Sequence, residues 1–534
     1  MNKSDPRKPS TSQADGTAEA AFARVGSQGP FRGQESFFRP VPAWVWFFAV
    51  VAMSWGYFTS NPALTVCSLM MLPMLASVLW FRNEPPVLLF ACCIQWLQAT
   101  TAIFYANFQG LPLYAELNLG GDKVEEATWL SMAGVFVLAA GMRIALINRE
   151  RNAGQKAQQE ARLVNLDRVF VVYLISFAFS SVLDLVAFAI PGLTQPLLAL
   201  GTIRWTMVFL LVYSVIVNRQ RYALLSFVVC LEAITGLTGF FSSFKSVFYV
   251  LLIALAGTGL ALKGWRLTQF IAVAMTVFAL SVLWTAIKPE YRSFLSEGAD
   301  REGGSIPVTQ RLEKVGELTS SMDLAKLNEG FEDLLLRISY VKYFALTIQN
   351  VPVNVPYERG GLWAGAIEQV FMPRLFFPDK PKIDDSERTG RYTGTEVSGR
   401  EQGTSISIGY FGESYIDFGP VGMFAPIFLL GMFYGLIYRL FVKYSQRKII
   451  GFAIAVSTLV FSALQVETSN IKIVGGSVVV CLAMSLFLRI GAKPIWNSIA
   501  RQLAPLPIRP TPEIVLHSKA AKRAQDASAT DVSP

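Results

Sequence analysis

The hydrophobic pattern of this chain is a series of apolar runs, each near the ~20 residues that an α-helix needs to cross a bilayer. Short polar connections separate these runs everywhere except at one place. The predicted spans lie near residues 43–59, 62–81, 85–107, 126–147, 169–190, 196–217, 222–241, 246–262, 267–286, 418–441, 449–466 and 474–490. The pattern therefore predicts an all-α polytopic membrane protein of twelve spans with one large loop, residues 287–417.

The composition agrees with this pattern, because 52% of the 534 residues are hydrophobic and only 16% are charged. Residues 1–42 and 491–534 are polar and are predicted to be disordered tails. The chain is thus divided into a first tail, nine spans in 43–286, the loop in 287–417, three spans in 418–490 and a second tail.

Basic residues are sorted between the two sides of the predicted bundle. Lys and Arg occupy both tails and alternate connections, as at Arg82, Arg219, Arg221 and Lys263, whereas the other connections are very short or acidic. The loop has about 15 Lys and Arg against 20 Asp and Glu, opposite in sign to the net charge of +9 for the whole chain. The positive-inside rule therefore predicts cytoplasmic termini and an extracytoplasmic loop.

Several kinds of chemistry are excluded from the loop. All five cysteines lie in predicted spans, and the single histidine, His517, lies in the C-terminal tail. The loop therefore has no disulfide, no histidine base and no histidine-containing zinc site. The chain also lacks a phosphate loop of the P-loop form. Basic residues of the tails are expected to contact anionic lipid headgroups rather than nucleic acid.

The loop carries basic residues next to aromatic ones. In LLLRISYVKYFALTI, apolar residues repeat at helical spacing and Arg337 interrupts the repeat. The following stretch, rich in Gly and Pro, places Arg359, Arg374 and Lys380 among aromatic residues that include Trp363. Cations among aromatic and proline residues indicate a surface for a rigid, partly apolar, anionic ligand.

Two carboxylates precede the tenth predicted span. Glu413 and Asp417 are four residues apart in GTSISIGYFGESYIDFGPVGMF, so a helix there would place both on one face at the bilayer boundary. Tyr410 and Tyr415 lie beside them. With Trp363, these two tyrosines are candidate platforms for a sugar ring.

The segments FMPRLFFPDKPKIDD and TSISIGYFGESYIDFGPVGMF resemble the bacterial O-antigen polymerase, or oligosaccharide repeat-unit polymerase, family. The sequence-specific part covers residues 337–422, whereas the topology agrees over the whole chain. The resemblance implies a GT-C-like membrane glycosyltransferase of the bacterial inner membrane. It would transfer a growing glycan from undecaprenyl pyrophosphate to another lipid-linked repeat, outside the cytoplasm and without a metal or other cofactor. A flippase and a chain-length regulator are then further expected partners, besides the lipid-linked oligosaccharide and the bilayer.

The implied reaction gives each candidate residue of the loop a role. Without a metal, cations must neutralise the departing pyrophosphate, and Arg337, Arg374 and Lys380 are the first choices. Glu413 or Asp417 would accept the proton of the acceptor hydroxyl.

Further ionisable residues lie in or beside the spans. Arg204, toward the outer third of its span, and Lys245, at an outer boundary, are candidates for binding the lipid pyrophosphate. For the ionisable residues within the spans, Asp184, Arg204 and Glu232, the competing interpretation is a structural interhelical pair, and for Lys245 it is a lysine that snorkels to the surface. Glu467 and Lys472 are expected to form a minor pair on the outer face.

Each candidate also has a simpler interpretation. Arg374 and Lys380 would be solvated charges or contacts to lipid phosphate, and Arg337 would pair with an acidic neighbour on its own helix. Glu413 would cap the following helix or pair with an arginine, and Asp417 would mark a helix start.

Two other functional classes remain open at this point. One is a transporter or flippase of a lipid-linked or anionic solute, which the single large loop and the lack of repeated halves disfavour. The other is a non-catalytic membrane subunit of a polysaccharide export complex, in which the loop binds a partner protein. The related O-antigen ligases are usually described with a histidine in the outer loop, which this chain lacks.

The distribution of basic residues predicts the outcome of a topology experiment. A reporter enzyme fused after Gly399 should report the extracytoplasmic side, and one fused after Gln158 the cytoplasm. A cysteine introduced at Ser398 should react with a membrane-impermeant maleimide in intact cells. Reaction only after lysis would contradict the predicted orientation.

Overall fold

The computed structural model describes residues 37–116, 120–190, 192–238, 244–259, 265–296, 306–372, 376–377, 380, 384–397, 405–464 and 466–501. Within these ranges every regular element is helical. The α-helices are α1 (Ala43–Gly56), α2 (Pro62–Leu79), α3 (Val87–Phe108), α4 (Val124–Ala145), α5 (Ala153–Arg162), α6 (Leu166–Ala189), α7 (Thr194–Gly201), α8 (Ile203–Asn218), α9 (Tyr222–Thr238), α10 (Lys245–Gly257), α11 (Trp265–Ser296), α12 (Val308–Ser320), α13 (Leu324–Ile338), α14 (Val341–Asn350), α15 (Gly361–Phe371), α16 (Asp385–Thr393), α17 (Tyr410–Gly422), α18 (Phe424–Tyr444), α19 (Lys448–Ser462), α20 (Asn470–Ile490) and α21 (Ala492–Ile499).

Eight helical segments of the described chain are long and apolar enough to cross a membrane: α2, α3, α4, α6, α7 with α8, α11, α18 and α20. The other four predicted spans correspond to apolar helices of 13 to 17 residues, α1, α9, α10 and α19. At 1.5 Å per residue these four are roughly 20–26 Å long, shorter than the ~30 Å hydrocarbon core. The all-helical, polytopic prediction is confirmed, and eight segments have spanning length.

The start of the loop differs from the prediction. α11 continues through Ser296, well past residue 286. Trp284, Ile287, Tyr291 and Leu295 extend its buried stripe at helical spacing, and each is at most 5% exposed. Burial of this stripe keeps the segment helical although its other face is polar.

The end of the loop also differs from the prediction. Gly419 has φ +71° and is followed by Pro420, so the backbone kinks there. This left-handed conformation favours glycine. The kink separates α17, which is buried from Tyr410 to Asp417, from α18. The apolar helix of spanning length therefore begins at Phe424 rather than at residue 418.

Parts of both predicted tails are ordered. The guanidinium Nε of Arg143 donates to the carbonyl of Phe37 at 3.0 Å. At the other terminus, α21 buries Trp496 and Ile499, so the prediction of disorder from residue 491 was wrong for this helix. Residues 1–36 and 502–534 lie outside the described ranges.

Two sides of the bundle can be distinguished. On one side of the bundle α10 begins, α11 ends and α20 begins. Helix α13 packs on α11, α14 on α4, and α15 on α20 at this side, which we call the loop side. We call turn side the opposite side, which holds α5, the α18–α19 turn and α21. On the turn side, the backbone N–H of Ile449 donates to Glu160 at 2.9 Å, and that of Asn165 to the carbonyl of Ile499 at 2.8 Å.

α4 and α18 cross with their backbones in contact. Gly431 and Gly435 form a GxxxG pair on α18, facing α4. A Cβ on Gly431 would collide with the carbonyl oxygen of Leu138, and one on Gly141 with that of Phe428. Small residues at such a crossing let two helices approach closely in lipid, where no hydrophobic force brings them together.

This crossing predicts a position-specific response to a single methyl group. Gly431→Ala should lower the free energy of unfolding by ~1–3 kcal/mol, the usual effect of overpacking. Gly475→Ala on α20 is the matched control, because nothing lies within 4 Å of its added Cβ. Alanine there should be neutral or stabilising, since it is the better helix former. Equal melting temperatures of the two purified variants would contradict the close crossing.

Candidate functional site

Four basic residues meet on the loop side. Lys245 is the first residue of α10, Lys288 and Arg292 are four residues apart near the end of α11, and Arg337 lies in the last turn of α13. The charges of Arg337, Arg292 and Lys245 all act on the ammonium group of Lys288. We call these four residues the basic cluster.

Close packing holds α13 in place beside α11. A Cβ on Gly330 of α13 would lie 2.6 Å from the Cβ of Ala286 of α11, so the two helices touch at this glycine. The start of α13 is capped by Asp323, whose carboxylate accepts the backbone N–H of Lys326 at 2.8 Å. Arg337 at the other end of α13 is favourably placed for the helix dipole.

Glu467, in the α19–α20 loop, faces the basic cluster. Burial raises the pKa of Glu467, while the charges of Arg337, Lys245 and Lys288 act in the opposite direction. Three cations around one partly buried carboxylate give the site a net positive charge, which favours an anionic ligand.

The sequence analysis missed three residues of this site: Lys288, Arg292 and Glu467. The predicted pairing of Glu467 with Lys472 was wrong. A usable signal existed for the two cations, because their four-residue spacing continues the helical pattern of α11 beyond its apolar run. Nothing comparable marked Glu467, whose contact with the cluster depends on how α19 and α20 pack.

Glu413 lies in α17, is only 1% exposed and accepts two hydrogen bonds. Arg388 Nη1 donates at 3.1 Å, and the backbone N–H of Asn470 donates at 2.7 Å, so Glu413 also caps the start of α20. Burial raises the pKa of Glu413 to about 7, against the lowering effect of Arg388. Beside it, Lys472 pairs with Asp385 at 2.6 Å.

One backbone segment joins Glu413 to the basic cluster. Glu467 lies in the short connection between α19 and α20, and Asn470 is the first residue of α20. The backbone of Val466 is clamped on both sides: its N–H donates to Gln98 Oε1 at 3.0 Å, and its carbonyl accepts the N–H of Tyr410 at 3.3 Å. These contacts fix the connection that carries Glu467 relative to α17, which carries Glu413.

Asp417 is a structural residue. Its carboxylate accepts the backbone N–H groups of Leu362 at 3.0 Å and Trp363 at 2.8 Å, and it is 2% exposed. It thereby caps α15, a helix other than its own. The indole N–H of half-buried Trp363 donates to Ser414 at 3.0 Å, which holds α15 against α17. This observation favours the capping interpretation of Asp417 over a role as proton acceptor.

Neither tyrosine of α17 offers a ring face to a sugar. Tyr410 has no exposed surface, and its hydroxyl donates to Gln95 Oε1 at 2.6 Å. Tyr415 is 4% exposed and contacts the ring of Phe344, with 5.6 Å between the ring centroids. Both assignments are corrected, because the helical repeat directs these rings into the core.

Arg204 belongs to a buried interhelical pair. Its Nε donates to Glu232 Oε1 at 2.7 Å, and its Nη2 pairs with the second carboxylate oxygen. Tyr173 also donates to Glu232 at 2.7 Å, and the guanidinium lies 4.3 Å from the centre of the Phe177 ring. This observation favours the structural interpretation of Arg204 over pyrophosphate binding.

The remaining cations of the loop are dispersed. Lys380 Nζ donates to the carbonyl oxygens of Gln369 and Met372, at 2.8 Å each, and so caps the end of α15. Its assignment to pyrophosphate is corrected accordingly. Arg359 is exposed at a left-handed backbone position, φ +52°. Arg374 lies outside the described residues.

The chemical groups at this site are suited to an anionic ligand with hydroxyl groups. Guanidinium and ammonium groups bind phosphate oxygens, and a carboxylate can accept a hydroxyl proton. Among the described residues no group of three or more His, Cys, Asp or Glu side chains could hold a metal ion.

Comparison with protein families gives one match. A family model described as a domain of unknown function, DUF8712, matches residues 65–468, more than half of the chain. The chain belongs to the DUF8712 family. No curated protein and no solved structure matches the chain. The DUF8712 match includes the whole basic cluster, Glu413 and Glu467, whereas α20 and α21 lie outside it.

The raised pKa of Glu413 predicts a pH dependence of stability in this DUF8712 protein. A carboxyl group with a pKa of about 7 when folded and 4.5 ordinarily holds its proton more tightly when folded. It therefore contributes stability that is present below pH 4.5 and lost as pH rises through 7. Glu413→Gln should remove this component, so its melting temperature should fall less than that of the wild type between these pH values.

Glu329→Gln provides the control, because this exposed carboxylate lies on α13. Its pH profile should match the wild type. An unchanged pH profile in Glu413→Gln as well would contradict the assignment to Glu413.

Proposed function

We propose that this DUF8712 protein polymerises lipid-linked oligosaccharide repeat units, transferring a glycan from undecaprenyl pyrophosphate to a hydroxyl of another lipid-linked repeat. The observation that carries the proposal is the basic cluster, in which Arg337, Lys245 and Lys288 come from three helices and act on Glu467, while Arg292 acts on Lys288. The resemblance of residues 337–422 to oligosaccharide repeat-unit polymerases supports the choice of substrate.

The reaction requires stabilisation of a leaving pyrophosphate. The bond between the anomeric carbon and the pyrophosphate oxygen breaks, its electron pair leaves with the pyrophosphate, and the acceptor oxygen forms the new glycosidic bond. Negative charge therefore grows on the leaving oxygen in the transition state, where fixed cations are most effective. Arg337 would bind two phosphate oxygens through its planar fork, whereas Lys245 and Lys288 would act as point charges.

Glu467 is the carboxylate best placed to take the acceptor proton. Glu467 serves as the counter-ion of the cluster, because Arg337, Lys245 and Lys288 all act on it. Bound pyrophosphate would replace it in that role, and the freed carboxylate would then stand beside the leaving group. Glu413 is held by Arg388 and Asn470 and acts as a positioning residue for the loop that carries Glu467.

The surroundings of the cluster suit a ligand with a long apolar tail. Only 18% of the apolar window of α11 and 22% of that of α20 are buried within the protein. Most of both helices therefore faces outward, as expected for helices at the lipid boundary. Since Lys288 and Arg292 lie on α11, a polyprenyl phosphate could reach them laterally from the bilayer.

The proposal also includes the orientation of the chain. The four shorter apolar helices would complete twelve spans in a GT-C-like arrangement in a bacterial inner membrane, with both termini in the cytoplasm. The loop side would then face outward. Basic residues are usually sparse on that side, so the cluster there fits a dedicated anion site.

Substitutions in the cluster test this proposal. Each of the variants Arg337→Lys, Lys288→Ala and Lys245→Ala should leave the amount of protein in the membrane normal and lower polymerisation. Arg337→Ala should lower it by about 100-fold, as for loss of one transition-state donor. The measurement is the ladder of glycan lengths on gels, normalised to the amount of protein. Lys326→Ala is the matched control on the same helix, because its pair with Glu290 is exposed at 3.9 Å.

The alternative classes give different results in the same assay. A polymerase variant should accumulate single repeats on the outer face, whereas a flippase variant should lack them there. An intact ladder in Arg337→Ala, Lys245→Ala and Lys288→Ala would overturn the proposal.

A further inference from the structure

A cavity of about 600 Å³ lies on the turn side. It is enclosed by the ends of α18 and α20, by the α18–α19 turn and by α21. Apolar residues of the two long helices, including Leu440, Phe441 and Leu488, form one wall. The basic cluster lies at the opposite end of the bundle, so this cavity is separate from the proposed glycan site.

Three cations line the same cavity. Arg447 comes from the α18–α19 turn, Arg489 from the last turn of α20 and Lys493 from the first turn of α21. All three are exposed, which places them toward the opening. Arg447 lies 4.6 Å from the centre of the Trp496 ring, and within the described residues no carboxylate pairs with Arg489 or Lys493.

The position of α21 explains why this cavity exists. This helix follows α20 directly through Gly491, and it buries Trp496 and Ile499 while exposing Lys493. The backbone N–H of Asn165 anchors its last residue at 2.8 Å. Because α21 directly follows a helix of spanning length, it lies at the level of the membrane interface. The cavity therefore has an apolar wall from spanning helices and a cationic opening at headgroup level.

We propose that this cavity binds one anionic phospholipid from the adjoining leaflet. The phosphate would lie between Arg447, Arg489 and Lys493, and an acyl chain would follow the apolar surface of α18 and α20. The charge of the site favours an anionic lipid over a zwitterionic one, because a zwitterionic headgroup would bring its own cation toward the three cations of the cavity. The apolar wall decides between a lipid and a free phosphate ion, since the ion would leave that surface without a partner.

The test uses purified full-length protein in detergent and measures bound lipid by native mass spectrometry. The probes are phosphatidylglycerol, phosphatidylcholine with the same acyl chains, and inorganic phosphate. Only phosphatidylglycerol should bind to the wild type. The double variant Arg489→Gln/Lys493→Gln should bind it roughly tenfold or more weakly, since each basic residue near an anionic headgroup contributes several-fold to affinity.

Two further variants separate this site from general charge and from misfolding. Arg162→Gln/Arg219→Gln removes the same charge from exposed positions on the turn side outside the cavity, and should bind phosphatidylglycerol as the wild type does. Leu440→Trp should fill the cavity and weaken binding without changing the lipid-free melting temperature, because Leu440 is already 40% exposed.

Three results would overturn the proposal. One is equal binding of phosphatidylglycerol and phosphatidylcholine. Another is unchanged phosphatidylglycerol binding in Arg489→Gln/Lys493→Gln. The third is competition of inorganic phosphate with the lipid, together with loss of phosphate binding in Arg489→Gln/Lys493→Gln. That result would indicate a simple anion site.

Discussion

The approach of α4 to α18 at glycine is the constraint on which the loop side depends. Gly141, Gly431 and Gly435 let the two backbones touch, and each helix contacts an element of the loop side. α4 packs against α14, and a Cβ on Gly134 would lie only 3.1 Å from the ring of Phe411, so α4 also packs closely against α17. α18 continues from α17 through the kink at Gly419. A shift between α4 and α18 would therefore move Glu413 together with the connection between α19 and α20, which carries Glu467.

Electrostatics divide the molecule into two different ends. On the turn side, Arg149 pairs with buried Glu84 and Lys448 with half-buried Glu150. Arg489 and Lys493, which have no carboxylate partner among the described residues, are exposed there. On the loop side, Arg337, Lys245 and Lys288 all act on Glu467, and Glu467 is the one described carboxylate that acts on Lys288. A paired cation stabilises the fold locally, whereas an excess of cations at a partly buried site favours an anion from outside. This contrast is why we assign the reaction to the basic cluster.

The two carboxylates of α17 show how packing divides residues that look equivalent. Glu413 and Asp417 lie on one helical face, four residues apart, and both are buried. Asp417 meets the free N–H groups of α15, which use both of its oxygens. Glu413 meets Arg388 and the start of α20. Both therefore connect elements that are distant in sequence, and each serves to position a helix near the site.

The sequence alone determined the all-helical architecture, the positions of the apolar helices and the segment that holds the polar chemistry. Helix formation depends on neighbours three and four residues away, so a periodic pattern predicts it. The sequence also singled out Arg337, because it interrupts an apolar helical repeat, and Lys245, because it lies at an outer boundary. Only the tertiary structure decided that they meet Lys288 and Glu467, that Tyr410 and Tyr415 are buried, and that Asp417 and Lys380 cap α15. These outcomes depend on contacts between helices that are far apart in sequence, and no local spacing specifies which charged groups will find a partner.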